Sequence, residues 1–204
     1  FDREWNATVP PADGWHLTEM FDAMERRDLR SLLVIGENPA QSEADVSRAV
    51  ELLEGLEHLV VLDIHLTKTA QLADVVLPGS ASWCESNGTV TNSERRVQRV
   101  RKALDPPGSA RDDVDILVAL ARGLGHDWNY ETHEDVWDEV RRLSPLHAGM
   151  SWKRIEELGG IQWPCPHEDS LEPPYLHGRL WDADPSARGP LAPFSAVTWD
   201  GPVD

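Results

Sequence analysis

The chain has 204 residues, 36 of them acidic and 19 basic, for a formal net charge of −17. That length fits one large domain or a domain with an appendage, and it is long enough to bury a true core. So acidic a balance argues against a nucleic-acid or membrane-surface binder, and no stretch approaches the roughly 18 apolar residues that a membrane helix needs.

The chain opens on Phe1-Asp2-Arg3-Glu4-Trp5, without a methionine, a basic leader or an apolar leader segment. It reads as a piece of a longer, cytoplasmic protein. Leu17, Met20, Phe21 and Met24 recur at the spacing of one helical face. A buried strand, Leu32-Leu33-Val34-Ile35, then breaks at Gly36-Glu37-Asn38-Pro39, where proline suits the first turn of a new helix. Val46, Ala49, Val50 and Leu53 mark the buried stripe of the helix that ends at Gly55. A second strand, His58-Leu59-Val60-Val61-Leu62-Asp63, ends on a carboxylate, and a short helix over 67–73 leads to a third, Asp74-Val75-Val76-Leu77-Pro78. Strands alternating with helices predict right-handed crossovers and a short parallel sheet flanked by helices, a Rossmann-like α/β domain.

Beyond Pro78 the pattern changes. Asn87-Gly88 is a turn signal between β-prone runs. Helices are expected over 112–124 and 132–143, the second with Thr132 and Asp135 in capping-box spacing and Val136, Trp137 and Val140 on its inner face. After Gly159, Pro164, Pro166, Pro173, Pro174, Pro185, Pro190 and Pro193 interrupt any periodicity, with Trp163, Tyr175, Leu176 and Trp181 between them. The expected organisation is an α/β cofactor-binding domain over 1–158 and an ordered, irregular Pro/Trp-rich arm over 159–204.

In such a sheet, ligands sit at the carboxyl ends of the strands. Gly36 adopts angles closed to other residues and lets a ligand near the main chain, while free amides at the start of the next helix suit phosphate. Asn38 and Ser42 add side-chain hydrogen bonds; the alternative is that Asn38 only caps its helix. Asp63 accepts from a ribose or from the N1–H and N2–H groups of guanine, or else caps the helix near Thr67. Arg95, Arg96, Arg99, Arg101 and Lys102 form a basic run that either meets an anionic ligand or partner or pairs with Asp105, Asp112 and Asp113. His65 lies near the rim, but the eight histidines have no metal-site spacing, and Cys84 and Cys165 lack any C-x-x-C partner. No metal ligand and no catalytic nucleophile or base is expected in this chain.

Taken in order, Gly36-Glu37-Asn38-Pro39, Leu59 to Ile64 with Thr67-Lys68-Thr69-Ala70, Ala73 to Pro78, Glu85 with Gly88 to Asn92, Glu94 to Gln98, and Gly160 to Pro166 carry a family resemblance. The chain resembles molybdopterin oxidoreductases and is most similar to the catalytic (alpha) subunit of cytoplasmic formate dehydrogenases. The resemblance implies a bis-(molybdopterin guanine dinucleotide) cofactor with molybdenum or tungsten, one guanine dinucleotide arm of which this segment holds, in an enzyme that oxidises formate to carbon dioxide. By position it assigns Gly36, Glu37, Asn38 and Ser42 to the first loop, Leu62 and Asp63 to guanine or ribose, Gly79 to a backbone contact, and Asp113 to the cofactor's surroundings. Leu62 stands where the family has glutamine, Gly79 where serine or alanine is common, and His65 where phenylalanine is common. The resemblance also places the 4Fe-4S cysteines and the metal-ligating residue before this segment and a barrel-like domain after it, so the fragment alone is expected to be inactive. Its implied partners are the remaining domains of the parent subunit and electron-transfer subunits. Two other readings stay open: another member of the superfamily, such as a nitrate reductase or the large subunit of an NADH dehydrogenase, or a stand-alone nucleotide-binding or assembly module.

Overall fold

The computed structural model describes residues 1–170. Its elements run α1 (Asp2–Trp5), α2 (Leu17–Glu25), β1 (Ser31–Ile35), α3 (Pro39–Ser42), α4 (Val46–Glu54), β2 (His58–Asp63), α5 (Lys68–Leu72), β3 (Val75–Pro78), β4 (Gly88–Thr91), β5 (Arg96–Val100), α6 (Asp113–Gly123), α7 (His133–Leu143), α8 (Trp152–Leu158) and β6 (Ile161–Gln162).

The α/β reading holds. β1, β2 and β3 form a parallel sheet in sequence order. Val34, Leu59 and Val61 turn one face of it onto Phe21 and Met24 of α2, Ala49 and Leu53 of α4, and Ala70 of α5. Burial of these side chains, about 1.5–3 kcal/mol for each large one, is what holds helices this short. The caps are local: Asp45 accepts from Arg48 N, Thr67 from Ala70 N, and Thr132 with Asp135 closes the expected capping box. Leu17 and Val46 stay exposed because each is the first residue of its helix, beyond the edge of the core.

A second sheet, β4-β5-β6, is antiparallel. The expected turn at Asn87-Gly88 is not where the hairpin reverses. Gly88 already pairs with Val100, and the chain reverses over 92–95, where Asn92 Oδ1 accepts from the N–H of Glu94 and of Arg96 and Arg95 takes a left-handed φ of 66°. Asn87 instead accepts from Lys102 N at the open end of the hairpin. Val97, Trp137, Met150, Ile155, Ile161 and Cys165 make a second core. Residues 161–165 therefore pack into this unit, whereas the arm's residues 171–204, with Pro173, Tyr175 and Trp181, lie outside the described residues. Among the described residues no helix is long and apolar enough to cross a membrane.

Candidate functional site

Ile35, Leu62 and Leu77 stand side by side in register, so Gly36, Asp63 and Pro78-Gly79 continue as one rim at the carboxyl ends of the strands. Gly36 turns the chain with φ 63° while its N–H donates to Leu62 O at 2.9 Å. A Cβ here would meet nothing within 4 Å, so the backbone angle, not crowding, selects glycine, and the space above the turn is open. Glu37 is exposed beside it.

The amides that follow do not form the expected phosphate cradle. Ala40 N donates to Thr69 Oγ1, and the N–H groups of Gln41 and Ser42 donate to Asn38 O. Asn38 makes no side-chain cap to its own helix either. Its Oδ1 accepts from Thr69 N (3.1 Å) and Thr69 Oγ1 (2.9 Å), and its Nδ2 donates to Gln41. Asn38 and the fully buried Thr69 thus clasp the first loop to α5. Ser42 is exposed and donates its hydroxyl to Asn38 O. Thr69 was not singled out from sequence; the signal available was its place beside Ala70, the two buried residues of a short helix whose Lys68 and Gln71 are polar.

Asp63 is half-buried, with Oδ1 accepting from His65 N at 2.8 Å. It does not cap α5, because Thr67 does. Leu62 is 1% exposed and turns its side chain inward, so only its carbonyl serves the rim. The two departures from the family pattern are one steric unit: a Cβ on Gly79 would lie 2.8 Å from Leu62 Cδ2 and 2.6 Å from Asp113 Oδ1. Asp113 reaches the rim because Gly79 bridges to Arg111, two residues before it in the chain.

Asp113 Oδ1 is buried with no hydrogen-bond partner, and so is the hydroxyl of Ser80. Burial raises the Asp113 carboxyl above the ordinary range; the Ser80 backbone N–H opposes this, and the charges of Asp112 and Asp63 add to it. Ser80 was missed from sequence, its only signal being its place just after the Gly79 turn. A cavity of about 310 Å³ adjoins these groups, lined among others by Ser80, Ser86, Asn87, Asp113, His133 and Trp137. Val140, expected on the inner face of its helix, lines this cavity and is partly exposed.

In the cavity wall His133 Nε2 meets Asp112 Oδ1 at 3.1 Å. That hydrogen bond raises the imidazole, against the opposing effect of burial. For Asp112, burial pushes upward most strongly, but the bonds from His133 and Val114 N outweigh it and the carboxyl is lowered. The raised histidine contributes stability that is fully present below its unfolded value of about 6.5 and is lost as pH rises through the folded value; the lowered carboxyl contributes above about 3.9 and loses it on acidification. Relative to His133→Gln, the wild-type denaturation midpoint is therefore expected to fall as pH rises from 6.5 to 8. A constant difference between the two over that interval would dismiss the pair as a titrating unit.

The basic run is engaged within the fold. Lys102 pairs with Asp105, one of the alternatives the sequence left open, but Arg99 and Arg101 pair with Glu156, and not with Asp112 or Asp113. Arg99 also lies 3.4 Å over the Trp152 ring, and Arg96 pairs with Glu94. Among the described residues no cluster of three or more His, Cys, Asp or Glu side chains is placed to hold a metal ion. Cys84 and Cys165 are free thiols, Cys165 buried.

Residues 9–123 match the family model described as molybdopterin oxidoreductase. The chain is 41% identical over 195 residues to the F420-dependent formate dehydrogenase subunit alpha of Methanocaldococcus jannaschii, covering 95% of this chain and 28% of that one. It is 38% identical over 194 residues to a putative formate dehydrogenase of Staphylococcus aureus, covering 94% and 20%. The chain thus spans about a quarter of the length of these relatives. Among solved structures, acetylene hydratase from Pelobacter acetylenicus matches with a TM-score of 0.56 at 24% identity, over 72% of this chain and 20% of that one, a likeness of fold.

Proposed function

The chain belongs to the molybdopterin oxidoreductase family, and on that premise we propose that it holds one guanine dinucleotide arm of a bis-(molybdopterin guanine dinucleotide) cofactor, with molybdenum or tungsten, in a formate dehydrogenase-like catalytic subunit. The observation that carries the proposal is the Asp113 carboxylate oxygen, buried without a partner and close enough to Asp63 to feel its charge. An unpaired buried acceptor is costly, and guanine offers N1–H and N2–H donors that would satisfy it. Asp63 and Asp113 would then grip the base, with the Ser80 hydroxyl available to a neighbouring polar atom. Gly36 and Glu37 would border the approach through the open space above the turn. Asn38, with Ser42 bonded back to it, would fix the loop through Thr69; Leu62 would act through its carbonyl, and Gly79 by leaving room for Asp113.

When bound, the cofactor would supply the two-electron redox chemistry for oxidising formate to carbon dioxide. The residues of this chain would bind and orient it, and none is assigned a catalytic role. The names of the relatives support formate as substrate. Their greater length supports a parent subunit with further portions, and the name subunit alpha supports additional subunits; to those portions we assign the 4Fe-4S cysteines and the metal ligand, to the additional subunits electron transfer, and to the whole a cytoplasmic location.

The test is made on the whole gene product, purified without oxygen. Acid release of GMP together with metal analysis should give two GMP per molybdenum or tungsten, with formate-dependent reduction of a viologen dye. Protein that contains the metal but releases no GMP would overturn the reading.

A further inference from the structure

A histidine at the start of a helix breaks an ordinary rule, because the unpaired amides there disfavour a cation. His133 is the first residue of α7, and what holds a charge on it lies across the cavity wall. Its Nε2 meets Asp112 Oδ1 at 3.1 Å, and the same oxygen accepts from Val114 N at 2.9 Å, so Asp112 caps α6 and ties it to α7 at once. The residues on either side are fixed too. Arg111 N donates to Pro78 O, and the Asp113 carboxyl, first in α6, accepts from the backbone N–H of Ser80. The His133 and Asp112 side chains are 23% and 15% exposed, too little for solvent to screen the pair fully.

The charges around His133 are unequal. From α6 come Asp112, Asp113 and Asp115, with Asp63 of β2 beyond Asp113; from β5 comes Arg99, which is already paired with Glu156. Glu134, its neighbour on α7, acts on Arg99. The remaining polar residues of the cavity wall are uncharged. We infer that His133 is a positioning residue of the nucleotide site: it anchors the turn that aims Asp113 at the rim, and its positive charge offsets Asp112 so that Asp113 can meet guanine as a carboxylate. The inference rests on the guanine reading of Asp113 and adds its regulation by pH. With His133 neutral, the Asp112 charge stands uncompensated beside Asp113 and disfavours its ionisation. Ionised Asp113 in turn favours the protonated histidine, so nucleotide and proton bind together. The bond to Asp112 raises His133 above its ordinary value of 6.5, and retention falls as pH rises through that raised value.

The test follows cofactor loss from the whole gene product, purified without oxygen and gel-filtered after incubation at pH 6.5 or 8.5, read as protein-bound GMP remaining. Wild type should lose it about tenfold faster at the higher pH, the factor that corresponds to one unit of linkage. His133→Gln, which keeps a donor without the charge, should lose it fast at both. Asp112→Asn, which keeps a cap and removes the charge to be offset, should lose it slowly at both, and at pH 8.5 more slowly than wild type. A merely structural clasp predicts the reverse for Asp112→Asn, faster loss at every pH. The wild-type step is read without any substitution, so a variant that fails to fold leaves that measurement intact. Absence of the step from wild type overturns the inference, as does its survival in His133→Gln or faster loss from folded Asp112→Asn. Metal-containing protein without GMP at either pH defeats the guanine reading and this inference together, whereas GMP lost at one rate across the interval defeats this inference alone.

Discussion

Gly149→Ala is expected to destabilise the protein by about 3 kcal/mol or more, at or above the upper end of ordinary overpacking costs. A Cβ at this position would lie 2.2 Å from the carbonyl oxygen of His167 and 2.9 Å from that of Cys165, both backbone atoms. Relief would need the chain to move, and it is pinned on every side. Gly149 N donates to Cys165 O at 2.8 Å, and Gly149 O accepts from Arg154. The preceding carbonyl, Ala148 O, accepts from Arg141, and the following one, Met150 O, accepts from the indole of Trp137 at 2.7 Å. Met150 is fully buried in the second core, so a shift there would reopen packing against Val97, Ile155 and Ile161. Against a typical net stability of 5–15 kcal/mol such a loss is a large fraction. Denaturant titration checks it, with Gly123→Ala as the matched control: a Cβ on that helical glycine meets nothing within 4 Å, and its replacement is expected to be neutral or mildly stabilising. Equal midpoints for the two variants would show that the 149 segment yields.

What was legible in the sequence follows from which forces are local. The three parallel strands were readable because Leu59 to Leu62 and their counterparts are continuous apolar runs, and the helix starts because Pro39, Thr67 and Thr132 act on their own first turns. From parallel strands in sequence order, the meeting of Gly36, Asp63 and Gly79 at one rim also follows. The second sheet was readable only as β-prone runs, with the turn placed at Asn87-Gly88 and not at 92–95. β6 has only two residues, Ile161 and Gln162, and exists because Val97 and Arg96 are there to receive it. Nor was the use made of the rim residues. Whether Asn38 faces a ligand or Thr69 depends on where α5 packs, and the inward turn of Leu62 depends on the absence of a Cβ at Gly79. Long-range contacts of this kind leave no periodicity behind them.

Removing Asp63 and Asp113 together is expected to cost the holoenzyme most of its guanine nucleotide. Asp63→Ala alone should weaken retention by roughly 1.5–3 kcal/mol, the range for a hydrogen bond to a charged group, and the double variant by about 3 kcal/mol or more because both acceptors for N1–H and N2–H disappear. GMP released per protein after gel filtration reads the loss. A merely structural role predicts something different, since Asp113 carries a buried oxygen with no partner and a carboxyl raised chiefly by burial. A carboxyl raised in the folded state is least costly when protonated, so the cofactor-free protein pays for Asp113 at neutral pH and is relieved as pH falls. Asp113→Asn should therefore hold or raise the stability of the cofactor-free protein while lowering nucleotide retention, two effects of opposite sign from one substitution. The same raised value fixes the pH dependence of binding. Guanine donors need the ionised carboxylate, so wild-type retention should fall as pH drops through the raised Asp113 value, at a higher pH than an ordinary aspartate near 3.9 would allow. In Asp113→Asn that step should vanish. Unchanged retention in Asp63→Ala, together with an acid step that survives in Asp113→Asn, would take both carboxylates out of the nucleotide site and return the rim to a purely structural role.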